Sequence, residues 1–410
     1  MIIDAVWARD SLCATGEFGG HPVRPGRPPG TGVTGVAGRL RRDSGPQLSV
    51  TGCETFLGVS IADTVTLAAR NAWALTFGTG VEAPEPTAST VLWDRPHRQL
   101  RRFERDELRD GAGGAHPPVL LVPPLAAPAS CFDLRPDQSL ARFLLGTGRT
   151  PYLVDYGEIG YADRRMGFED WIDDILPDAV LRASADAAGA PVDLVGWSIG
   201  GTLSLLAAAA HAHLPIRSIT AVGSPLDYDE MPGMSSVRTV ARIDGGRTVS
   251  TAVRATGVPA PLTRAAYRAT AWNRELTRPW FVASNIARTE SLAKMESIDR
   301  FMAAMPGYPG RFYAQLWERL VLANDIGRGG LNLRGRRIAL SEVNTPVLLI
   351  GGTTDVITPA RAVAAGARLL SGAPFVRYDT VPGGHLGILT GETARETTWA
   401  HLEKFLAEVS

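Results

Sequence analysis

Between the short apolar strand Val192-Asp193-Leu194-Val195 and the helix-forming run that continues from Gly201 to Ala210, the chain has five residues in which to reverse direction. They are Gly196-Trp197-Ser198-Ile199-Gly200. A strand that turns into a helix within so few residues needs positions without a side chain, and Gly196 and Gly200 supply them. Strand, G-x-S-x-G, helix is the context of a nucleophile elbow. Such a turn holds its serine in a strained conformation, with the hydroxyl exposed at the carboxyl edge of a parallel sheet. The helix N-terminus behind Ser198 favours negative charge on the reacting atoms. The plainer reading of the same residues is an ordinary strand-to-helix turn with a serine N-cap.

A serine hydroxyl is a weak nucleophile without a base. The chain has seven histidines: His21, His97, His116, His211, His213, His385 and His401. His21 lies in a Gly/Pro-rich segment, and His97 and His116 precede the sheet core. His211 and His213 fall at the far end of the helix that Ser198 opens, and His401 is on the last amphipathic helix. His385 follows the strand-like run Phe375–Val381 and then Pro382-Gly383-Gly384, which places it in a loop at the carboxyl end of a strand. Open α/β sheets gather their reactive groups at that edge. The third member of a serine triad is a carboxylate that comes between Ser198 and His385 in the chain. Pro346-Val347-Leu348-Leu349-Ile350 reads as a central strand buried on both faces, and Gly351-Gly352-Thr353-Thr354-Asp355 follows it. Asp355 is therefore at the same edge, suited to fixing the histidine's tautomer. Asp227, after the strand Ile219–Val222, is the competing acid.

Acyl transfer also needs donors for an oxyanion. One is the backbone N–H of Ile199, next to the nucleophile. The other is expected from the loop after Val119-Leu120-Leu121-Val122. Pro123 and Pro124 carry no N–H, so Leu125 is the first residue there able to donate.

Strands near Val119, Tyr152, Val192, Ile219, Val347 and Val376 alternate with helical patterns such as Ser139–Leu145 and Trp171–Leu181, the signature of a doubly wound α/β sheet. Thr87 to Arg105 alternates as an antiparallel hairpin would, and Ile61 to Phe77 reads as an amphipathic helix. The interval from Tyr228 to Glu342 breaks the rhythm. It holds Trp272, Trp280, Phe281, Phe301, Phe312, Tyr313 and Trp317 in helical surroundings, which suggests a cap over the site between strands six and seven. The expected organisation is a disordered N-terminal segment 1–48, a helical segment 49–85, a core of 86–227 and 343–410, and a helical cap 228–342. The 410 residues are long enough for one large core with an insertion, and a formal charge of zero gives no electrostatic case for nucleic acid or an anionic membrane. Cys13, Cys53 and Cys131 form neither a metal motif nor a disulfide framework. With no basic leader and no run approaching ~18 apolar residues, the chain reads as cytosolic and without a transmembrane segment.

From Val119 onward the chain resembles the polyhydroxyalkanoate synthase and depolymerase-like group of α/β-hydrolases. The matching runs are Val122-Pro123-Pro124-Leu125, Phe132-Asp133-Leu134-Arg135-Pro136, Ser139–Leu144, Tyr152–Gly157, Gly200-Gly201-Thr202-Leu203, Phe312-Tyr313 through Leu331-Asn332-Leu333, and Pro382-Gly383-Gly384-His385-Leu386-Gly387-Ile388. The resemblance implies an α/β-hydrolase fold, with the acid at Asp355 and the base at His385. Two departures matter. The synthases carry a cysteine in the elbow where this chain has Ser198, and a plainer Ala126-Ala127-Pro128-Ala129-Ser130 replaces a polar and aromatic stretch. Serine forms an oxygen ester that water can resolve, which favours hydrolysis or one-step transfer over polymerisation. The expectation is a serine acyl hydrolase acting on an ester or thioester of a hydroxyacyl or medium-chain acyl group, with no metal or organic cofactor. Esterase, lipase-like and polyester depolymerase activities fall within it. The alternative is an acyltransferase using an acyl-CoA or acyl-carrier thioester, and a homodimer is one oligomeric state left open. A reading of another class is a non-catalytic granule-associated binding protein using the helix near Ile61 to Phe77, for which the triad would have to be broken.

Overall fold

The computed structural model describes residues 61–105, 116–270 and 272–409. The expected segment 1–48 and residues 49–60 of the expected helical segment lie outside the described residues. Helix α1 (Ile61–Phe77) is followed by the hairpin of β1 (Ser89–Trp93) and β2 (Gln99–Phe103). The βα series then runs β3 (Val119–Val122), α2 (Leu140–Gly146), β4 (Pro151–Asp155), α3 (Leu176–Asp186), β5 (Val192–Trp197), α4 (Ile199–Ala210) and β6 (Ile216–Val222). After a long interval come β9 (Val347–Gly352) and β10 (Val376–Val381), and α11 (Thr398–Glu408) closes the described chain. Eight strands form one sheet in the order β1-β2-β4-β3-β5-β6-β9-β10, parallel except at β1 and β2. This is the mostly parallel arrangement with helices on both faces that the resemblance implied.

The apolar runs are buried on both faces because adjacent residues serve different cores. Leu120, Val122, Leu194 and Leu349 pack with Trp171, Ile172 and Leu203. Their neighbours Leu121, Val195, Leu348 and Ile350 pack with Leu144, Trp399 and Phe405. Helix α4 lies under the sheet with every residue from Ile199 to Ala209 buried, so its polar Thr202 and Ser204 turn their hydroxyls to carbonyls, Pro225 O and Gly200 O. Ahead of α3 the expected helix over Trp171–Leu181 begins earlier, at Phe168, and its turn Trp171–Ile175 widens to π spacing. Pro177, two residues after that turn, lacks the N–H that would continue a regular ladder.

The interval between β6 and β9 contains α5 (Met234–Ala241), α6 (Arg247–Thr256), α7 (Ala260–Thr270), α8 (Trp272–Ser284), α9 (Thr289–Ala303) and α10 (Gly310–Gln315). It differs from an all-helical expectation at its end, where β7 (Gly330–Leu333) and β8 (Arg336–Ala339) pair as a separate hairpin. Arg334 and Gly335 both take positive φ, 48° and 79°, the geometry of a two-residue turn that matches strand twist. Several bonds tie the middle of the interval to the rest of the described chain. Arg311 N and Phe312 N donate to Arg164 O and Met166 O, Ser297 Oγ donates to Gln138 Oε1, and Asn71 of α1 donates to Ile286 O. The buried Glu169 accepts from Arg311 and Gln315. Phe301 and Phe312 are core residues, whereas Trp272 and Trp280 of α8 lie 58% and 78% exposed. No helix among the described residues is long and apolar enough to cross a membrane.

At the amino-terminal edge of the sheet an ion pair joins the turn before β4 to α11. The Arg149 side chain is wholly buried, and its Nε and Nη2 donate to Glu403 Oε2 and Oε1 at 3.0 and 3.2 Å. Removing the carboxylate strands a desolvated guanidinium. Glu403→Ala is therefore expected to lower stability by about 3 kcal/mol, read as a reduced urea midpoint with an unchanged slope. A midpoint equal to that of the parent would mean that water reaches Arg149.

Candidate active site

Backbone crowding explains why the elbow is built from glycine. A Cβ on Gly196 would lie 2.4 Å from Gly201 Cα, and one on Gly200 would lie 2.4 Å from Val122 O. A Cβ on Gly201 would meet the Ser224 hydroxyl and come within 3.0 Å of Gly196 O, a milder constraint than the backbone clashes at the other two. Ser198 between them has φ 55° and ψ −132°, a conformation that costs a residue with a Cβ about 1–3 kcal/mol. Its amide donates to Val222 O at 2.8 Å, and its side chain caps no helix N–H. Ser198 thus occupies the N-cap position of α4 without its hydroxyl serving as a cap.

The hydroxyl turns to His385. Ser198 Oγ is 2.9 Å from His385 Nε2, and His385 Nδ1 is 2.7 Å from Asp355 Oδ2. An ionised carboxylate only accepts, so Nδ1 carries the proton and Nε2 presents its lone pair to the serine O–H. The other carboxylate oxygen, Asp355 Oδ1, accepts from Ile357 N at 2.9 Å and Thr358 N at 2.8 Å. Asp355 and His385 side chains are 0% and 8% exposed, so these bonds form out of bulk water. The arrangement is chemically able to move the serine proton to imidazole and to hold the resulting imidazolium against a fixed negative charge.

The competing acid is placed elsewhere. Asp227 accepts from Asn324 Nδ2 and Asp229 N with one oxygen, and from Arg368 Nη2 at 2.5 Å with the other. It ties the loop after β6 to the base of the interval. Other histidines have their own partners: His97 bridges Tyr156 O and Asp163, His211 meets Asp173, and His401 meets Asp379.

The loop after β3 presses on the elbow, since Pro123 O would lie 2.7 Å from a Cβ on Gly200. Leu125 and Ile199 side chains are buried in one cluster, and neither backbone N–H has a hydrogen-bond acceptor among the described residues. Cys131 lies just beyond this loop, and complete burial pushes its thiol well above the ordinary range. A thiol held protonated is a poor nucleophile, so Ser198 has no rival there. Among the described residues no group of His, Cys, Asp and Glu has the geometry to hold a metal ion. A hollow of about 700 Å³ between α7 and α8, walled by Trp272 and Leu276, includes neither Ser198 nor His385.

Residues 119–397 match the family model described as the alpha/beta hydrolase family. The chain is 27% identical over 320 residues to the poly(3-hydroxyalkanoate) polymerase subunit PhaC of Allochromatium vinosum, a match covering 75% of this chain and 85% of that one. It is 26% identical over 302 residues to the subunit of the same name from Thiocystis violacea, covering 72% and 81%. Against that of Cupriavidus necator it is 26% identical over 316 residues, covering 73% of this chain and 51% of the relative.

Proposed function

The chain belongs to the alpha/beta hydrolase family, and from that premise we propose that it is a serine acyl hydrolase cleaving an ester or thioester of a hydroxyacyl or medium-chain acyl group. The observation that carries this reading is the line of hydrogen bonds from Asp355 through His385 to a serine with positive φ. Ser198 Oγ attacks the acyl carbonyl carbon while His385 Nε2 takes the hydroxyl proton. The carbonyl oxygen becomes an oxyanion in reach of the Ile199 and Leu125 amides, each contributing about 3 kcal/mol to the transition state. The tetrahedral adduct collapses, His385 returns the proton to the departing alcohol or thiol, and an acyl ester remains on Ser198. Water, deprotonated by the same nitrogen, then releases the acid and restores the serine.

The relatives are named as polymerase subunits, which favours a second reading, in which an alcohol rather than water resolves the acyl-enzyme; the donor we propose for it is an acyl-CoA or acyl-carrier thioester. The two share every step up to acyl-Ser198. Fluorophosphonate labelling followed by product analysis of acyl-nitrophenyl esters and acyl-CoA thioesters, with and without hydroxyacyl acceptors, separates them. A free acid formed at an undiminished rate in the presence of acceptor supports hydrolysis, and acceptor ester as the main product supports transfer. A cytoplasmic setting and a homodimer belong to the same proposal.

In this reading residues 228–342 form a cap that buries the acyl chain. Burial contributes about 0.8 kcal/mol per methylene, so each two-carbon extension is expected to raise kcat/KM by up to roughly fifteenfold until the pocket is full. Rates measured from acetyl to octanoyl nitrophenyl esters check this. A flat profile, or a preference for acetyl, would remove the acyl-binding role from the cap.

A further inference from the structure

We infer that Trp197 is the positioning residue of His385, an inference that rests on reading Ser198 and His385 as nucleophile and base. The backbone that carries His385 is rich in glycine. Gly383 and Gly384 precede it and Gly387 follows, with Gly383 at φ 127°, a conformation that residues with a Cβ rarely adopt. Bonds from the ring to Asp355 and Ser198 orient the imidazole only as well as the peptide behind it is held.

Trp197 holds that peptide. Its indole Nε1 donates to the His385 carbonyl oxygen at 3.1 Å, and the two ring centroids are 5.2 Å apart at 36°. One side chain thus grips the backbone of the base and backs its ring. Trp197 is itself fixed: it is 4% exposed, ends β5 in register with Val222, and packs with Phe301 of α9 at 6.3 Å. It is also the residue bonded to Ser198. The nucleophile and the support of the base therefore belong to one rigid dipeptide, which fixes the distance from Oγ to Nε2 before substrate arrives. A buried indole N–H needs an acceptor in any core, as Trp399 Nε1 finds Leu389 O; what sets Trp197 apart is that its acceptor is the carbonyl of His385 itself and that its ring also lies against the imidazole.

The test compares the parent with Trp197→Phe and with a protein carrying benzothienylalanine at 197, which keeps the indole shape and replaces N–H by sulfur. The readouts are the rate of fluorophosphonate labelling of Ser198, kcat and KM separately, the downfield proton resonance of the His385–Asp355 bond, and the melting temperature. Labelling and kcat are expected to fall together, roughly tenfold to a hundredfold, with KM nearly unchanged and the downfield resonance broadened. Parent-like labelling and resonance in either folded variant would overturn the inference, as would an effect confined to KM. If Trp197→Phe does not fold, the benzothienylalanine protein decides alone. Labelling that persists in Ser198→Ala is a separate outcome, and it would overturn the serine reading itself.

Discussion

Ser198→Ala is expected to lose turnover by roughly 10⁵-fold and to lose fluorophosphonate labelling altogether, while melting close to the parent temperature. The side chain of Ser198 contributes one hydrogen bond, to His385, and caps nothing. Alanine keeps the Cβ and with it the strain at φ 55°, so neither packing nor backbone energy changes much. Activity and stability are thus expected to separate cleanly. Labelling that survives at another residue would end the triad reading, and a large fall in melting temperature would point to a structural serine.

Asp355→Asn is expected to reduce kcat by about 10⁴-fold through the tautomer of its neighbour. Ile357 N and Thr358 N both donate to Oδ1, so an asparagine at 355 sets its carbonyl oxygen there and turns its NH₂ toward His385. Nδ1 must then accept, the ring proton moves to Nε2, and no lone pair faces Ser198. Asp227→Asn, by contrast, loses charge on the partner of Arg368 and Asn324 and is expected to leave kcat within severalfold. Steady-state kinetics on the two variants decide the acid. Activity above a tenth of the parent in Asp355→Asn, or the larger loss in Asp227→Asn, would reverse the assignment.

The parts of this fold that were legible in the sequence are those where one physical demand dominates. Buried parallel strands must be apolar on both faces, so Val119–Val122 and Val347–Ile350 announce themselves. A reversal as tight as that at Ser198 must be flanked by glycine, and that context points to the nucleophile. The residues favoured Asp355 over Asp227 as the acid, but what occupies Asp227 was not legible in them. It depends on where Asn324 and Arg368 lie, residues distant in the chain. The β7–β8 hairpin escaped notice because its turn is Arg334-Gly335, without the Asn-Gly or Asp-Gly pair that usually marks such turns. The aromatic content of the interval suggested a cap that covers the site. Trp272 and Trp280 instead face outward, since helical spacing alone does not say which side of a helix a body will cover. The bond from Trp197 to His385 joins residues 188 apart and leaves no local trace.

β6 and β9 are consecutive strands of the sheet, paired from Ile219 with Val347 to Val222 with Ile350. Everything between them leaves and returns through neighbouring positions, so the interval is, topologically, one long loop whose length the sheet does not register. Closing a longer loop costs only slightly more entropy than closing a shorter one. Selection can therefore lengthen, shorten or replace the stretch from Tyr228 to Glu342 while Ser198, Asp355 and His385 keep their coordinates. If the proposed function holds, reaction chemistry and substrate choice lie on separate tracts of the same gene, free to diverge at different speeds.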